Sequence, residues 1–380
     1  MHHLPYWRLS GFYLVYFAFV GAFVPYWSLY LKSLEFTSLQ IGVLMSLLQV
    51  TRIFAPNLWG WLADHSGRGA RLVQVAAGLS LLSYLGVFTG TSFGWLFFVM
   101  ALMSFFWSAS LPLMEAITLR HLGDGASGYG RIRLWGSIGF ILAVIGLGYI
   151  LDFVAIRVLL WIVLGLKLGV LLFAHWIPEP RPTFHHEPHA PVAVILRRPE
   201  VMAFLAATFL MAAAHGVYYT FYSIYLVEHG YSKGVVGWLW SAGVLCEIGV
   251  FLWMPRLTAR FGLRRILLAS FLLAALRFLL IGYGVDWLPV ILAAQTLHAA
   301  SFGAYHAACV AVVHHFFKGR NNARGQAIYT SVSYGLGGTL GGLWSGALWE
   351  SIGPASTFVV STLAAGLGFA LLFWRLKLAD

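Results

Sequence analysis

Charge is scarce in this chain. Of 380 residues only 10% are charged, and 13 Asp and Glu stand against 24 Lys and Arg. Soluble domains carry about 25% charged residues, so this composition excludes a water-soluble fold. Cysteine is nearly absent as well. Cys246 and Cys309 both lie inside apolar runs, which argues against a disulfide framework or a Cys-based metal site. No Walker-type phosphate loop and no dehydrogenase-type glycine fingerprint occurs, so nucleotide coupling is not expected. No secretory leader is expected either. The first apolar run, from about Leu9 to Leu31, is too long for one and has no small-x-small cleavage site.

What the chain does have is hydrocarbon and rings. Hydrophobic residues make up 60%, aromatics 16% with 16 Trp, and mean hydropathy is +0.81. These values describe a polytopic, all-α membrane protein. The aromatics suit interfacial belts and an aromatic-lined cavity. Hydropathy gives twelve runs, near 8–31, 38–63, 70–90, 94–121, 130–152, 155–176, 200–228, 233–255, 264–284, 287–315, 323–349 and 353–374. Most links are short, which makes successive spans antiparallel neighbours. The exception is 177–199, rich in Pro, His and charge. It divides the chain into a six-helix bundle at 1–176, a linker, and a second six-helix bundle at 200–380. His185, His186 and His189 in the linker lack a structured frame for metal and read as a solvated loop.

Net charge is +11 and the pI near 9.8. In a soluble protein that balance would point to nucleic acid. Here the cations fall in short loops of one side, among them Arg8, Arg68, Arg71, Arg120, Arg131, Arg197, Arg198, Arg260, Arg265, Lys318 and Lys377. The opposite side carries only Lys32, Arg157 and Lys233. By the positive-inside rule both termini are cytoplasmic. Three cations remain inside spans: Arg52, Lys167 and Arg277.

The halves read as a duplication. GWLADHSGRGAR follows span 2, with Gly60, Asp64, Gly67 and Arg68; PRLTARFGLRR follows span 8, with Pro255, Arg260, Gly262 and Arg264 in the matching places. GYGRIRLWGS precedes span 5 and ARGQAIYTSV precedes span 11. Span 11 holds the small-xxx-small pairs Gly337/Gly341, Gly338/Gly342 and Gly342/Gly346. These are read as close helix packing.

Twelve spans in two sixes, a linker between them, and the Gly60-Asp64-Gly67-Arg68 loop resemble the major facilitator superfamily. In that family the loop's acid and base link helix ends and bias a gate. Here His65 follows the acid where a base is usual, and Ala259 takes the acid's place in the second copy. Within the superfamily the chain is similar to proton-coupled oligosaccharide symporters of the lactose permease type. It resembles more strongly the bacterial 3-phenylpropionate/cinnamate permease-like group, through YGRIRLWGS, Arg52, AAHGVYY and VGWLWSAGV. PLMEA with Glu115 and GRIRLWGSIG with Arg133 look like the permease's substrate-binding acid and arginine. Arg277 and His298 fall where it carries an arginine and a histidine of its proton site. Its span 10 acid falls on Ser301 here, and Glu247 stands one turn from its span 8 acid.

Physical reading of the buried polar residues runs alongside. Glu115 and Arg133 lie at matching depths on adjacent spans, so they form either a substrate-facing pair or a static salt bridge. Arg131 points elsewhere and snorkels. Arg52, one turn before the helix-breaking Pro56, is a cation that Glu115 cannot also neutralise; an anionic substrate suits it, since guanidinium grips carboxylate bidentately. Glu247, Arg277 and His298 lie near mid-depth and form a proton switch, with Glu247 the leading carrier. His215, Tyr218, Tyr222 and Tyr225 share one stripe of span 7; Gln295, His298, Phe302, Tyr305 and Cys309 share one of span 10. With Tyr13, Tyr16, Tyr26 and Trp27 they are candidates to line a chamber. Ordinary packing is the alternative for each.

The expectation is a proton-coupled symporter in a bacterial inner membrane, working by alternating access. It has no catalytic residues and no bound cofactor; its partners are a small-molecule substrate, protons and lipid, and it is monomeric. An aromatic carboxylate is the leading substrate. Sugar or nucleoside symport, uniport, and more remotely a membrane enzyme or sensor, are the alternatives.

Overall fold

The computed structural model describes residues 4–123, 128–179, 192–319 and 321–378. His185, His186 and His189 lie outside the described residues, as does most of the linker. Among the described residues ten helices are long and apolar enough to cross a membrane. They are α1 (Tyr6–Ser33), α2 (Ser38–Ser66), α3 (Gly69–Phe88), α4 (Phe93–Leu122), α5 (Tyr129–Phe153), α6 (Val158–Trp176), α7 (Pro199–Glu228), α8 (Lys233–Gly284), α9 (Leu288–Phe316) and α11 (Pro354–Arg375). Between the last two runs a further helical rod, α10 (321–349). Among the described residues there is no strand.

Two features separate these ten from the twelve expected runs. The 52-residue α8 joins two rods across Gly262, whose φ of 73° and ψ of 158° are not helical. A residue with a Cβ is strained there. The rod α10 opens with NNARGQAIYT, too polar for a hydrocarbon-spanning window but suited to a helix that faces other protein or water. Glycine and capping chemistry set other ends. Gly67 closes α2 at φ 64°. Thr37 and Gln40 form a reciprocal capping box at the start of α2, at 3.3 and 3.1 Å.

The rods α2, α9 and α10 carry irregular turns within their length. In α2 the helix tightens to a 3-10 turn at Thr51–Ile53, departs from helical geometry at Phe54 (φ −127°, ψ −32°), and restarts with Pro56 in its first turn. The break therefore includes Arg52 and precedes Pro56 rather than following it. In α9 a π-helical turn covers Ala299–Ala304, and in α10 another covers Ser331–Gly337. Such turns concentrate at functional positions.

The chain forms two compact units, Met1–His185 with Ser232–Trp238, and His186–Tyr231 with Leu239–Asp380. In the first, α1 packs on α5 and α6, and α3 on α4. The first turn of α8 belongs to this unit; there the Asp152 carboxylate accepts from the Lys233 and Gly234 backbone N–H groups at 2.7 and 3.0 Å. Tyr26 is part of the same packing, donating to the Val144 carbonyl at 2.7 Å. Trp27 donates to the Met100 sulfur at 3.2 Å. Both are fully buried.

In the second unit α7 packs on α10 and α11. The glycines of α10 act as the close-packing stripe the sequence implied. A Cβ on Gly341 would lie 2.7 Å from the Ala213 carbonyl oxygen and 2.9 Å from the Gly216 Cα, and one on Gly337 2.5 Å from the Phe209 carbonyl oxygen. Helix carbonyls of α7 take extra donors from the same neighbours: Ser333 gives to Thr208 O at 2.9 Å, and Ser361 to Ala214 O at 2.7 Å.

A matched pair of substitutions tests this packing. Gly366 of α11 would place its Cβ in open space, so Gly366→Ala gains up to about 1 kcal/mol of helix propensity. Gly341→Ala forces α7 and α10 apart and loses about 1–3 kcal/mol by overpacking. Detergent-solubilised melting curves of the two variants should move in opposite directions; a shift of the same sign in both would show that the stripe does not set helix separation.

Candidate functional site

Each unit carries its own buried polar cluster. In the first, Glu115 and Arg133 are each half-buried, but they do not form the expected ion pair. The Tyr129 hydroxyl donates to the Glu115 carboxylate at 3.1 Å. The Arg133 guanidinium lies on the face of Phe17, 3.8 Å from the ring centroid. The physical reason is local. Tyr129 opens α5 one turn before Arg133 and reaches Glu115 first, while the long arginine folds back onto a ring of α1. Arg131 is exposed, as a snorkelling residue should be.

Arg52 is exposed at the break in α2 and has no ion pair within 4.0 Å among the described residues. It belongs to the same neighbourhood nonetheless. The charges of Arg52, Glu115 and Arg133 all act on the Tyr16 hydroxyl. Tyr16 stacks on Trp107, with ring centroids 4.3 Å apart and planes at 8°. Tyr13 instead holds Thr118 at 3.2 Å. Tyr13 lies among the same groups, edge-on to Tyr129 with ring centroids 6.4 Å apart.

In the second unit Arg277 is fully buried. It reaches Gln295 Oε1 at 3.4 Å and Ser301 Oγ at 3.5 Å, and stacks 4.1 Å from the Tyr218 ring centroid. The acid beside it in expectation, Glu247, faces His298 instead, with Nε2 to Oε2 at 3.8 Å. The span 10 acid position of the permease type, Ser301, is therefore a neutral ligand to the arginine. Tyr218 donates to Gln295 at 3.2 Å. The His215 Nδ1–H donates to the Met211 carbonyl at 2.8 Å, and its Nε2 is buried without a hydrogen-bond partner among the described residues. The same holds for the hydroxyl of Tyr222 and Nε2 of Gln295. Tyr225 is committed to the Gly282 carbonyl at 2.8 Å.

Positions four apart share a face of a helix. His298, Phe302 and His306 accordingly stack in a ladder across the π-turn of α9, at 5.3 and 6.2 Å with planes at 9° in both steps. His306 holds the Tyr334 hydroxyl at 2.9 Å. Of the stripe expected from helical spacing, His298 and Phe302 therefore stand together, while Tyr305 and Cys309 are buried.

Sequence comparison now bears on these clusters. A family model described as "MFS_1 like family" matches residues 6–360. The chain belongs to the MFS_1 like family. It is 28% identical over 362 residues to a "Probable 3-phenylpropionic acid transporter" of Escherichia coli (strain K12), covering 94% of each chain. It is also 28% identical to the "Maltose permease" of Geobacillus stearothermophilus, over 96% of this chain and 93% of that one. Its fold is that of the "nucleoside transporter NupG (D323A mutant)", with a TM-score of 0.85 over 97% of this chain and 98% of that chain at 19% identity. This MFS_1 like protein is a multi-pass membrane transporter and not an enzyme.

The loop signature of this MFS_1 like transporter is partly wired. Asp64 lies 4.0 Å from Arg120 at the end of α4, both outside the core. Gly67 supplies the left-handed cap, and Arg68 N–H donates to Ser66 Oγ at 3.3 Å. A Cβ on Gly60 would meet nothing within 4 Å. A residue the sequence did not single out completes the turn: the Glu179 carboxylate accepts from the Ala70 N–H at 3.0 Å and the Arg71 N–H at 3.4 Å. Its signal was available, as an acid at a helix N-terminus, but it comes from 109 residues away.

Lys167 is the other residue without a role in the sequence reading. It is 2% exposed. Its ammonium donates to Ser80 Oγ at 2.8 Å and lies 4.6 Å from both the Phe19 and Trp107 rings. Among the described residues no carboxylate pairs with it. Ser80→Ala removes its one oxygen ligand and should lower stability by about 1–3 kcal/mol. Adding Lys167→Met to Ser80→Ala should restore most of that loss. A double-mutant cycle in melting temperature checks it, and additive losses would mean the serine does not hold the cation.

Proposed function

We propose that this transporter is a proton symporter that imports a small aromatic carboxylate of the phenylpropionate type by alternating access. The observation that carries the reading is the state of the first cluster. Arg52 and Arg133 stand near Tyr16 without a carboxylate in ion-pair contact, because Glu115 is held by Tyr129. A substrate carboxylate is the missing bidentate partner for guanidinium. Tyr16 and Trp107, stacked on each other, form an aromatic wall beside these charges. The 3-phenylpropionic acid transporter among its relatives supports the same class.

The proton is assigned to Glu247 with His298, beside the charge of Arg277. An acid in a buried, apolar setting exchanges its proton as its neighbours move. His215, Tyr218 and Tyr222 are assigned to substrate contact, and Gly60, Asp64, Gly67 and Arg68 to gating. A sugar or nucleoside is the second reading, favoured by the unpartnered Tyr222 hydroxyl, His215 Nε2 and Gln295 Nε2. Those groups match hydroxyls better than a phenyl ring, and a maltose permease stands among the relatives.

Proteoliposomes loaded with labelled 3-phenylpropionate test the proposal. An imposed proton gradient should drive accumulation. Glu247→Gln should keep exchange and abolish accumulation. Arg52→Gln should raise the half-saturating concentration roughly 10–100-fold, the loss of one charge-assisted contact. Uptake indifferent to pH would remove proton coupling, and maltose or nucleoside uptake in its place would select the second reading.

The proposed orientation puts both termini in the cytoplasm of a bacterial inner membrane, on the strength of the cation asymmetry. The two half-rods of α8 and the rod α10 complete twelve spans. Reporter fusions should then show the loop at Gly230 outside and Lys377 inside; the reverse labelling would invert the topology.

A further inference from the structure

The second unit holds a basic cavity apart from the cluster around Arg277. Its volume is about 590 Å³, and its polar wall is Arg198, Glu200, His315, Lys318, Asn321 and Lys377. Three permanent cations face one acid. No ion pair within 4.0 Å joins Glu200 to any of the three among the described residues. The residues come from four places in sequence: the end of the linker, the end of α9, the start of α10, and the tail after α11.

Two independent features make this cavity more than a set of surface lysines. Helix α7 begins here at Pro199, with Arg198 at the N-cap and no side-chain cap, and α10 begins here at Asn321. The positive ends of the two helix dipoles favour an anion, acting through charge because Pro199 has no N–H and the Val201, Met202 and Asn322 N–H groups bond backbone carbonyls. Asn321 lines the cavity, is 8% exposed, and its Oδ1 is buried without a hydrogen-bond partner among the described residues. Amide oxygen and nitrogen exchange places by rotation, so the same side chain can present N–H donors to a ligand. A buried polar group of this kind is costly when left unpaired.

We propose that this cavity binds a phosphate group, carried either by an anionic lipid headgroup or by free phosphate. Arg198 gives a planar fork for two phosphate oxygens, and Lys318 and Lys377 give point charges on the rim. Basic pockets at the ends of membrane helices take lipid headgroups by this chemistry. Ile195 and Phe316 provide an apolar shoulder, which suits the glycerol end of a lipid. Glu200 sets the affinity below its maximum. The site does not depend on the identity of the transported substrate.

The test uses the full-length protein in a neutral detergent, with two probes. Melting temperature is followed while inorganic phosphate replaces chloride at constant ionic strength. Native mass spectrometry follows retention of phosphatidylglycerol after its titration into the same sample. Binding of at least one probe is expected. Lys318→Gln with Lys377→Gln should weaken it roughly thirtyfold, and Glu200→Gln should tighten it roughly fivefold. Arg265→Gln, an exposed cation elsewhere on the unit, should leave it unchanged. The Glu200 variant guards against misfolding, because a damaged protein does not bind more tightly. A lipid response alone assigns the headgroup, and a phosphate response assigns the free anion. No response to either probe, or an equal response in all three variants, overturns the site.

Discussion

Arg277, Lys167 and Arg133 are positive charges in or near the core of a protein that has few acids to offer them. Each is held by ring faces and neutral oxygens. Arg277 lies over Tyr218 and touches Gln295 and Ser301; Lys167 sits against Phe19 and Trp107 with Ser80 as its ligand; Arg133 rests on Phe17. A buried ion with no compensation is unaffordable by many kcal/mol, and a desolvated cation over a ring recovers about 2 kcal/mol or more. Rings and hydroxyls therefore make a charged interior tolerable without neutralising it. Cations held in this way are stabilised but not neutralised, which is the property that the proposed carboxylate substrate requires.

Helix irregularity accompanies those charges. The 3-10 turn of α2 carries Arg52, the π-turn of α9 carries Ser301 and Phe302, and the π-turn of α10 carries Tyr334. A regular helix repeats its face every 3.6 residues. Tightening or loosening one turn rotates everything beyond it, and in α9 the stack of His298, Phe302 and His306 spans such a turn. In the second unit the rods are set close by Gly216, Gly337 and Gly341.

Much of the helical order was legible in one dimension, because hydrocarbon thickness imposes a length on every span. The end of α2 was legible too, since Gly67 marks a left-handed cap. The break before Pro56 followed from proline chemistry. Partner choice was not legible. Glu115 had two arginines within plausible reach along the sequence, yet a neutral residue, Tyr129, holds it. Glu247 was matched to Arg277 by depth, yet lies against His298. Depth along a helix is a sequence quantity, whereas side-chain direction depends on rotation about the helix axis, and each irregular turn changes that rotation.

Sequence by itself determined that this chain lives in a membrane, that it is helical throughout its apolar runs, and which few polar residues lie inside them. Composition and span length carry that information directly, since burial of charge in hydrocarbon is forbidden locally, residue by residue. Only the tertiary structure decided which of those residues touch. It released Arg52 and Arg133 from Glu115, boxed Lys167 in rings, and gathered Arg198, Lys318, Asn321 and Lys377 around one cavity. Arg198 and Lys377 of that cavity stand 179 positions apart, a separation that only the folded chain closes.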